Sequence, residues 1–263
     1  MKGSAPRPAR TGSLTIVGTG IAIGQMTVEA REYIKSARHI VALVADPVTL
    51  AWVRQCNPHT ESLQRFYAYG KDRRTTYADI VEYVLGLLRR GRHVCFVLYG
   101  HPGVFALPPH ELMRRARREG IPAAMLAGVS AEDCLFADLG VDPGTSGCQS
   151  FEATDFLVRR RKFDPCSALI LWQFGVVGEA SCPKAMRRDC VRMLAERLAQ
   201  TYPPDHEVIL YEAAVYPFCN PVRRHVRLSR LARTRYLPMC TLFVPPLPDR
   251  RASTAMIRRL RWE

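Results

Sequence analysis

With 263 residues, 48% of them hydrophobic and 24% charged, the chain has enough apolar side chains to bury one large or two smaller cores. Its formal charge of +14 comes from 38 Lys and Arg against 24 Asp and Glu, and no apolar run reaches the roughly 18 residues of a membrane-spanning helix. Nine cysteines without a Cys-x-x-Cys pair argue against both a zinc site and a disulfide framework, and fit a reducing, cytoplasmic compartment.

Taken in order, residues 1–11 are rich in Pro, Arg and Gly and lack an apolar segment, so they read as a disordered lead-in and not as a signal peptide. Leu14 to Val17 predicts a strand ending at Gly18-Thr19-Gly20, Thr27 to Ala37 a helix, and His39 to Ala45 a second strand. Asp46-Pro47 opens a short helix, with Asp as N-cap and Pro in the first turn. A loop carrying Phe66, Tyr67 and Tyr69 leads into a long amphipathic helix from Arg73 to about Arg90. The apolar strand Val94 to Leu98 runs into Tyr99-Gly100-His101-Pro102-Gly103-Val104-Phe105, a stiff loop at the kind of strand end where open α/β sheets bind ligands. A helix over His110 to Glu119 and a strand near Ala123 to Leu126 follow.

Beyond a boundary near Ala127-Gly128 the alternation changes rhythm. Ser130 to Leu139 predicts a helix, Gln149 to Glu152 a short strand, Ala168 to Phe174 a buried strand and Lys184 to Gln200 a helix; Glu207 to Ala213 and Met239 to Val244 are further strands. Strands alternating with helices give an α/β protein, here with lobes at 12–127 and 128–248 and a short basic tail at 249–263.

Several motifs have two readings. Gly18-x-Gly20-x-x-x-Gly24 misses the dinucleotide-binding spacing by one residue. Arg73 and Tyr77 lie one turn apart on a helix face, where a guanidinium beside a phenol favours the phenolate and a role as base; an Arg packed over a half-buried Tyr is the structural alternative. The arginine groups, such as Arg114-Arg115 with Arg117-Arg118, are solvated helix faces or a phosphate-binding patch. No ladder of stacking aromatics accompanies them.

As a set, Gly18-Thr19-Gly20, Ala45-Asp46-Pro47, Arg73-x-x-Thr76-Tyr77, Tyr99 to Phe105, Gly128 to Asp133, Phe136 to Gly140, Gln149 to Ala153 and Leu171-Trp172-Gln173 resemble the borosin peptide backbone α-N-methyltransferases. These are class III S-adenosylmethionine (SAM) enzymes of the tetrapyrrole methylase-like type, and the resemblance runs from about residue 12 to Pro246. It implies a two-lobed α/β homodimer that holds SAM in the interlobe cleft and methylates main-chain amides of a ribosomally made peptide. It assigns catalysis to Tyr67, Arg73, Tyr77 and Tyr99. SAM contacts fall to Tyr99, His101, Val104, Ser130, Ala131, Gln173, Ala213, Cys240 and Thr241. Cys240 stands where relatives often carry serine, and Ala127 where proline is usual.

Fungal relatives modify their own Val- and Ile-rich C-terminal tail, whereas residues 249–263 here are charged. The expectation is therefore a split enzyme acting on a precursor supplied in trans, as a homodimer or as a heterotetramer with that precursor, with neither membrane nor nucleic acid as partner. Two alternatives stay open: the same fold methylating a tetrapyrrole or an rRNA ribose, and a non-catalytic SAM-binding scaffold.

Overall fold

The computed structural model describes residues 12–179, 187–248 and 253–261, so the expected lead-in at 1–11 lies outside the described residues. The chain forms two compact units. The first holds the described residues up to Asp138 together with Ala213–Pro221; the second holds Leu139–Glu179, the described residues from 187 to Glu212, and those from Val222 onward.

In the first unit β1 (Ser13–Gly18), α1 (Val28–Ser36), β2 (His39–Leu43), α2 (Pro47–Cys56), β3 (Thr60–Ser62), α3 (Arg73–Arg89), β4 (His93–Leu98), α4 (Leu107–Arg118), β5 (Ala123–Met125) and α5 (Ala131–Leu139) alternate. The strands make one parallel sheet in the order β3-β2-β4-β1-β5. Successive side chains point to opposite faces of a strand, and both faces here are apolar. Leu14, Ile16, Val94, Phe96 and Leu98 pack with α3 and α4 residues such as Ile80, Val84 and Leu112. Val17, Ile40, Ala42, Cys95 and Val97 pack with Ala30, Ile34 and Val53 of α1 and α2. The helices start where short polar side chains cap them: Thr27, Asp46 and Asp72 each accept from a backbone N–H of the first turn.

The second unit contains α6 (Pro143–Ser146), β6 (Cys148–Glu152), α7 (Ala153–Val158), β7 (Ala168–Trp172), α8 (Arg188–Ala199), β8 (Glu207–Glu212), β9 (Val222–Arg227), β10 (Thr241–Val244) and α9 (Thr254–Leu260). Its sheet has the order β6-β7-β10-β8-β9, with β6 and β7 parallel and the remaining pairs antiparallel. The core lies against α7 and α8, where Leu169, Leu171, Leu210 and Leu242 meet Phe156, Val191, Leu194 and Leu198.

The α/β architecture expected from the sequence is observed, here built on two sheets, with differences in detail. Helix α4 begins at Leu107, before the expected His110, because Pro108 and Pro109 occupy its first turn, where a missing N–H costs no hydrogen bond. Strand β9 was not expected. Its sequence, Val-Arg-Arg-His-Val-Arg, buries only Val226, as suits an edge strand whose charges discourage further pairing.

Candidate active site

Strand order reverses between β1 and β4. The chain leaves β1 toward β2 on one side of the sheet and leaves β4 toward β5 on the other, which opens a crevice beyond the carboxyl ends of these neighbouring strands. The two loops there are locked together through backbone: Gly100 N–H donates to Gly20 O at 3.0 Å. A Cβ on Gly18 would lie 2.1 Å from Gly100 O and 2.9 Å from Pro102 Cδ, and Gly100 adopts φ +70°, so both positions require glycine. Within the second loop, Gly103 N–H donates to His101 Nδ1 at 2.9 Å and His110 Nε2 lies 2.8 Å from Gly103 O. Phe105 follows with φ +48°, a left-handed conformation that costs a bulky residue energy. Val104, Phe105 and Leu107 expose apolar side chains.

Parallel topology brings most of the candidate residues to this same edge of the first sheet. Tyr99 follows β4, Tyr67 follows β3 and a one-turn 3-10 helix (Leu63–Phe66), and α3 and α5 start from this edge with Arg73 and Ala131. Tyr67, Arg73, Tyr77 and Tyr99 are each half-buried, so they retain contact with solvent or a ligand. The Tyr67 segment is held on two sides. Lys71 Nζ donates to Phe66 O at 3.0 Å and to Asp79 Oδ2 of α3 at 2.7 Å. Tyr83 of α3 donates to both carboxylate oxygens of Glu61, at 2.8 and 2.7 Å, and Arg65 pairs with Glu61 while lying 4.9 Å from the Phe66 ring centroid and 4.7 Å from that of Tyr83.

Ser130 is buried and caps α5. Its N–H and hydroxyl both go to Asp133 Oδ2, at 2.6 and 2.7 Å, and its Oγ accepts from the Asp133 N–H at 3.2 Å, the reciprocal arrangement of a capping box. Ala213 belongs to this unit as well, at the head of the Ala213–Pro221 segment. Tyr216 of that segment donates to Asp46 Oδ1, the N-cap of α2. Burial pushes the Asp46 carboxyl up, but hydrogen bonds from Tyr216 and Thr49 outweigh it and hold the group below its usual range.

The other three candidates, Gln173, Cys240 and Thr241, lie in the second unit at one edge of its sheet. Leu171 of β7, Leu242 of β10 and Leu210 of β8 face one another in register, and all three point into the core. Two residues further toward this edge the same row reads Cys240 and Glu212, while Gln173 follows the end of β7. Gln173 is left-handed, with φ +56°, and Gly175 N–H donates to Cys240 O at 3.3 Å. Burial, with the Glu212 carboxyl nearby, pushes the Cys240 thiol up to about 12, so it is no nucleophile at neutral pH. Glu212 was not among the residues singled out from the sequence. Its Oε2 is buried without a hydrogen-bond partner among the described residues, and burial raises its pKa. The signal was present, since Val208, Leu210 and Glu212 share one phase of a strand whose other members are core residues.

Residues 13–227 match the sequence model of the tetrapyrrole (corrin/porphyrin) methylases. The chain is 42% identical over 257 residues to the methyltransferase/ribosomally synthesized cyclic peptide dendrothelin A precursor of Dendrothele bispora, covering 95% of this chain and 62% of that protein. It is 41% identical, with the same coverage, to the omphalotin A counterpart of Omphalotus olearius. A type III borosin cyclic peptide precursor of Anomoporia bombycina is 42% identical over 247 residues, covering 92% of this chain and 29% of that protein. The chain thus spans about three fifths of the length of the first two relatives. Among solved structures, uroporphyrin-III-C-methyltransferase from Thermus thermophilus superimposes with a TM-score of 0.64 at 21% identity, covering 89% of this chain and 92% of that one, a likeness of fold alone.

These relatives overturn the expectation of a precursor supplied in trans. Each is named as methyltransferase and peptide precursor in a single polypeptide. The charged character of residues 249–263 therefore does not mark a split enzyme.

Proposed function

Since the chain belongs to the tetrapyrrole (corrin/porphyrin) methylase family, we propose that it is a SAM-dependent methyltransferase that N-methylates backbone amides of a ribosomally made peptide, one joined to the methyltransferase as in its relatives. The observation that carries this reading is the gathering of Tyr67, Arg73, Tyr77 and Tyr99 at the carboxyl edge of the first sheet, beside the glycine-locked loops after β1 and β4. The names of the relatives supply the substrate class.

The residues present suit SAM. Where the loops after β1 and β4 meet, Gly18 lies so close to the Gly100 carbonyl that a Cβ has no room, which leaves backbone polar groups at the crevice for a ligand. Tyr99, His101, Val104, Ser130, Ala131, Gln173, Ala213, Cys240 and Thr241 would hold it. Bound SAM supplies an electrophilic methyl group on a sulfonium.

An amide nitrogen is a weak nucleophile because its lone pair is delocalised into the carbonyl, so its N–H proton must leave as charge moves to oxygen. Tyr77 is the base for that proton, and the Arg73 cation lies one helical turn away. Tyr67 or Tyr99 donates to the developing oxyanion. The exposed Val104, Phe105 and Leu107 offer apolar surface next to this loop for a Val- and Ile-rich peptide. Joining such a peptide to the chain and following it by tandem mass spectrometry tests the reading. Stepwise gains of one methylene on main-chain amides, dependent on added SAM, are expected; an unmodified peptide overturns it.

A further inference from the structure

Glu212 occupies a position that the folding of β8 gives it no reason to hold. Alternation along the strand places Val208, Leu210 and Glu212 on one face, and the first two are fully packed core residues. The carboxylate therefore ends a core-facing row with its Oε2 buried and unpartnered among the described residues. A buried acceptor left without a donor destabilises a fold by roughly 1–3 kcal/mol, and native structures keep few such groups without a functional cause.

Its neighbours indicate what it is for. Continuing the register past Leu242 and Leu210 sets Cys240 beside Glu212, where adjacent strands bring Cβ atoms to within about 4.5–5.5 Å, and Gln173 follows the end of β7, the neighbour of β10 on the other side. Two of the three are residues that the family resemblance assigns to SAM, and the residue after Glu212 is Ala213, a third. Both β10 and β8 change from leucine to a polarisable or charged side chain at this level of the sheet. Cys240 is buried, and its thiol lies against its own neighbour's carbonyl, Thr241 O, at 3.5 Å.

We propose that Glu212 is a SAM-binding residue, its Oε2 accepting a hydrogen bond from a donor of the bound molecule. The inference rests on the SAM-dependent reading above and adds to it a recognition residue which that reading does not include. SAM has such donors in two places, the amino and hydroxyl groups of its nucleoside and the ammonium of its amino-acid part. S-adenosylhomocysteine carries both, and 5′-methylthioadenosine only the first.

Isothermal titration of the full chain with each compound tests the assignment, on the wild type and on the Glu212→Gln and Glu212→Met variants. Both substitutions are expected to weaken S-adenosylhomocysteine binding by about ten- to a hundredfold, the worth of a hydrogen bond to a charged group, while the ligand-free melting temperature of Glu212→Met stays level or rises because the orphaned acceptor is gone. Equal weakening toward 5′-methylthioadenosine places the donor on the nucleoside; unchanged affinity for it places the donor on the amino-acid part. Wild-type binding with affinities unchanged within twofold in both variants overturns the role of Glu212 alone. Failure of the wild type to bind either compound overturns the cofactor reading and this inference together.

Discussion

Tyr216 donates its hydroxyl to Asp46 at 2.5 Å, joining residues 170 positions apart. The same carboxylate caps α2 through Oδ2 and the Thr49 N–H at 2.6 Å, while the Tyr216 ring stacks on Phe218 with centroids 5.5 Å apart. One acidic side chain thus fixes both the start of a helix and the course of a distant segment. Because these hydrogen bonds hold the folded carboxyl below its usual range against the cost of burial, its contribution is complete above the ordinary Asp pKa of about 3.9 and is lost as pH falls through the lower folded value. Tyr216→Phe should destabilise the protein at neutral pH, and the difference from wild type should shrink as pH falls below the ordinary Asp range. Urea unfolding at neutral and at acidic pH measures it, and a pH-independent difference counts against the coupling.

A methyl group at Gly18 meets the Gly100 carbonyl and the Pro102 ring, and neither can rotate away. Gly18→Ala should therefore lower stability by about 1–3 kcal/mol and separate the loops after β1 and β4. Denaturant melts read the first effect. Loss of S-adenosylhomocysteine binding, measured by calorimetry, reads the second.

Tyr77→Phe removes the proposed proton acceptor but preserves the ring, and Arg73→Ala removes the cation one turn away. Each should abolish methyl transfer while leaving S-adenosylhomocysteine affinity within a fewfold of wild type. Methylation at the normal rate in either variant would discard its assigned role.

Lys71 spans the Phe66 carbonyl and Asp79, so it fixes the Tyr67 segment to the helix that carries Tyr77. Small misplacements of catalytic groups cost up to about a hundredfold in rate, and Lys71→Met should lower kcat by about tenfold or more with little change in cofactor affinity. Partial rescue by Lys71→Arg, which keeps a charged donor, separates positioning from simple loss of stability.

Much of this arrangement is legible in the residues themselves. Asp46-Pro47 announces α2, and the apolar run ending at Tyr99-Gly100 announces β4 with its loop, because caps, prolines and alternation are local effects. Long-range pairing is less visible. Val222 to Arg227 looks like a basic surface patch until Glu207 to Glu212 is seen to pair with it residue for residue. Glu212 passes unnoticed for the opposite reason: a glutamate at the end of a strand looks exposed, and only the register with Leu242 and Cys240 reveals that it faces inward. The charge of the C-terminal stretch was legible too, but it did not support the expectation of a separate precursor built on it, which the relatives correct.

The path of the backbone bears on how such a protein can be divided. The chain leaves the second unit after Glu212, contributes Ala213–Pro221 to the first and returns at Val222. A fragment ending near Asp138 would lack the partner of Asp46, and its complement would carry a segment belonging elsewhere. Neither unit is therefore a transferable module: a fragment or recombinant that carries one without the other severs Ala213–Pro221 from the residues it packs with.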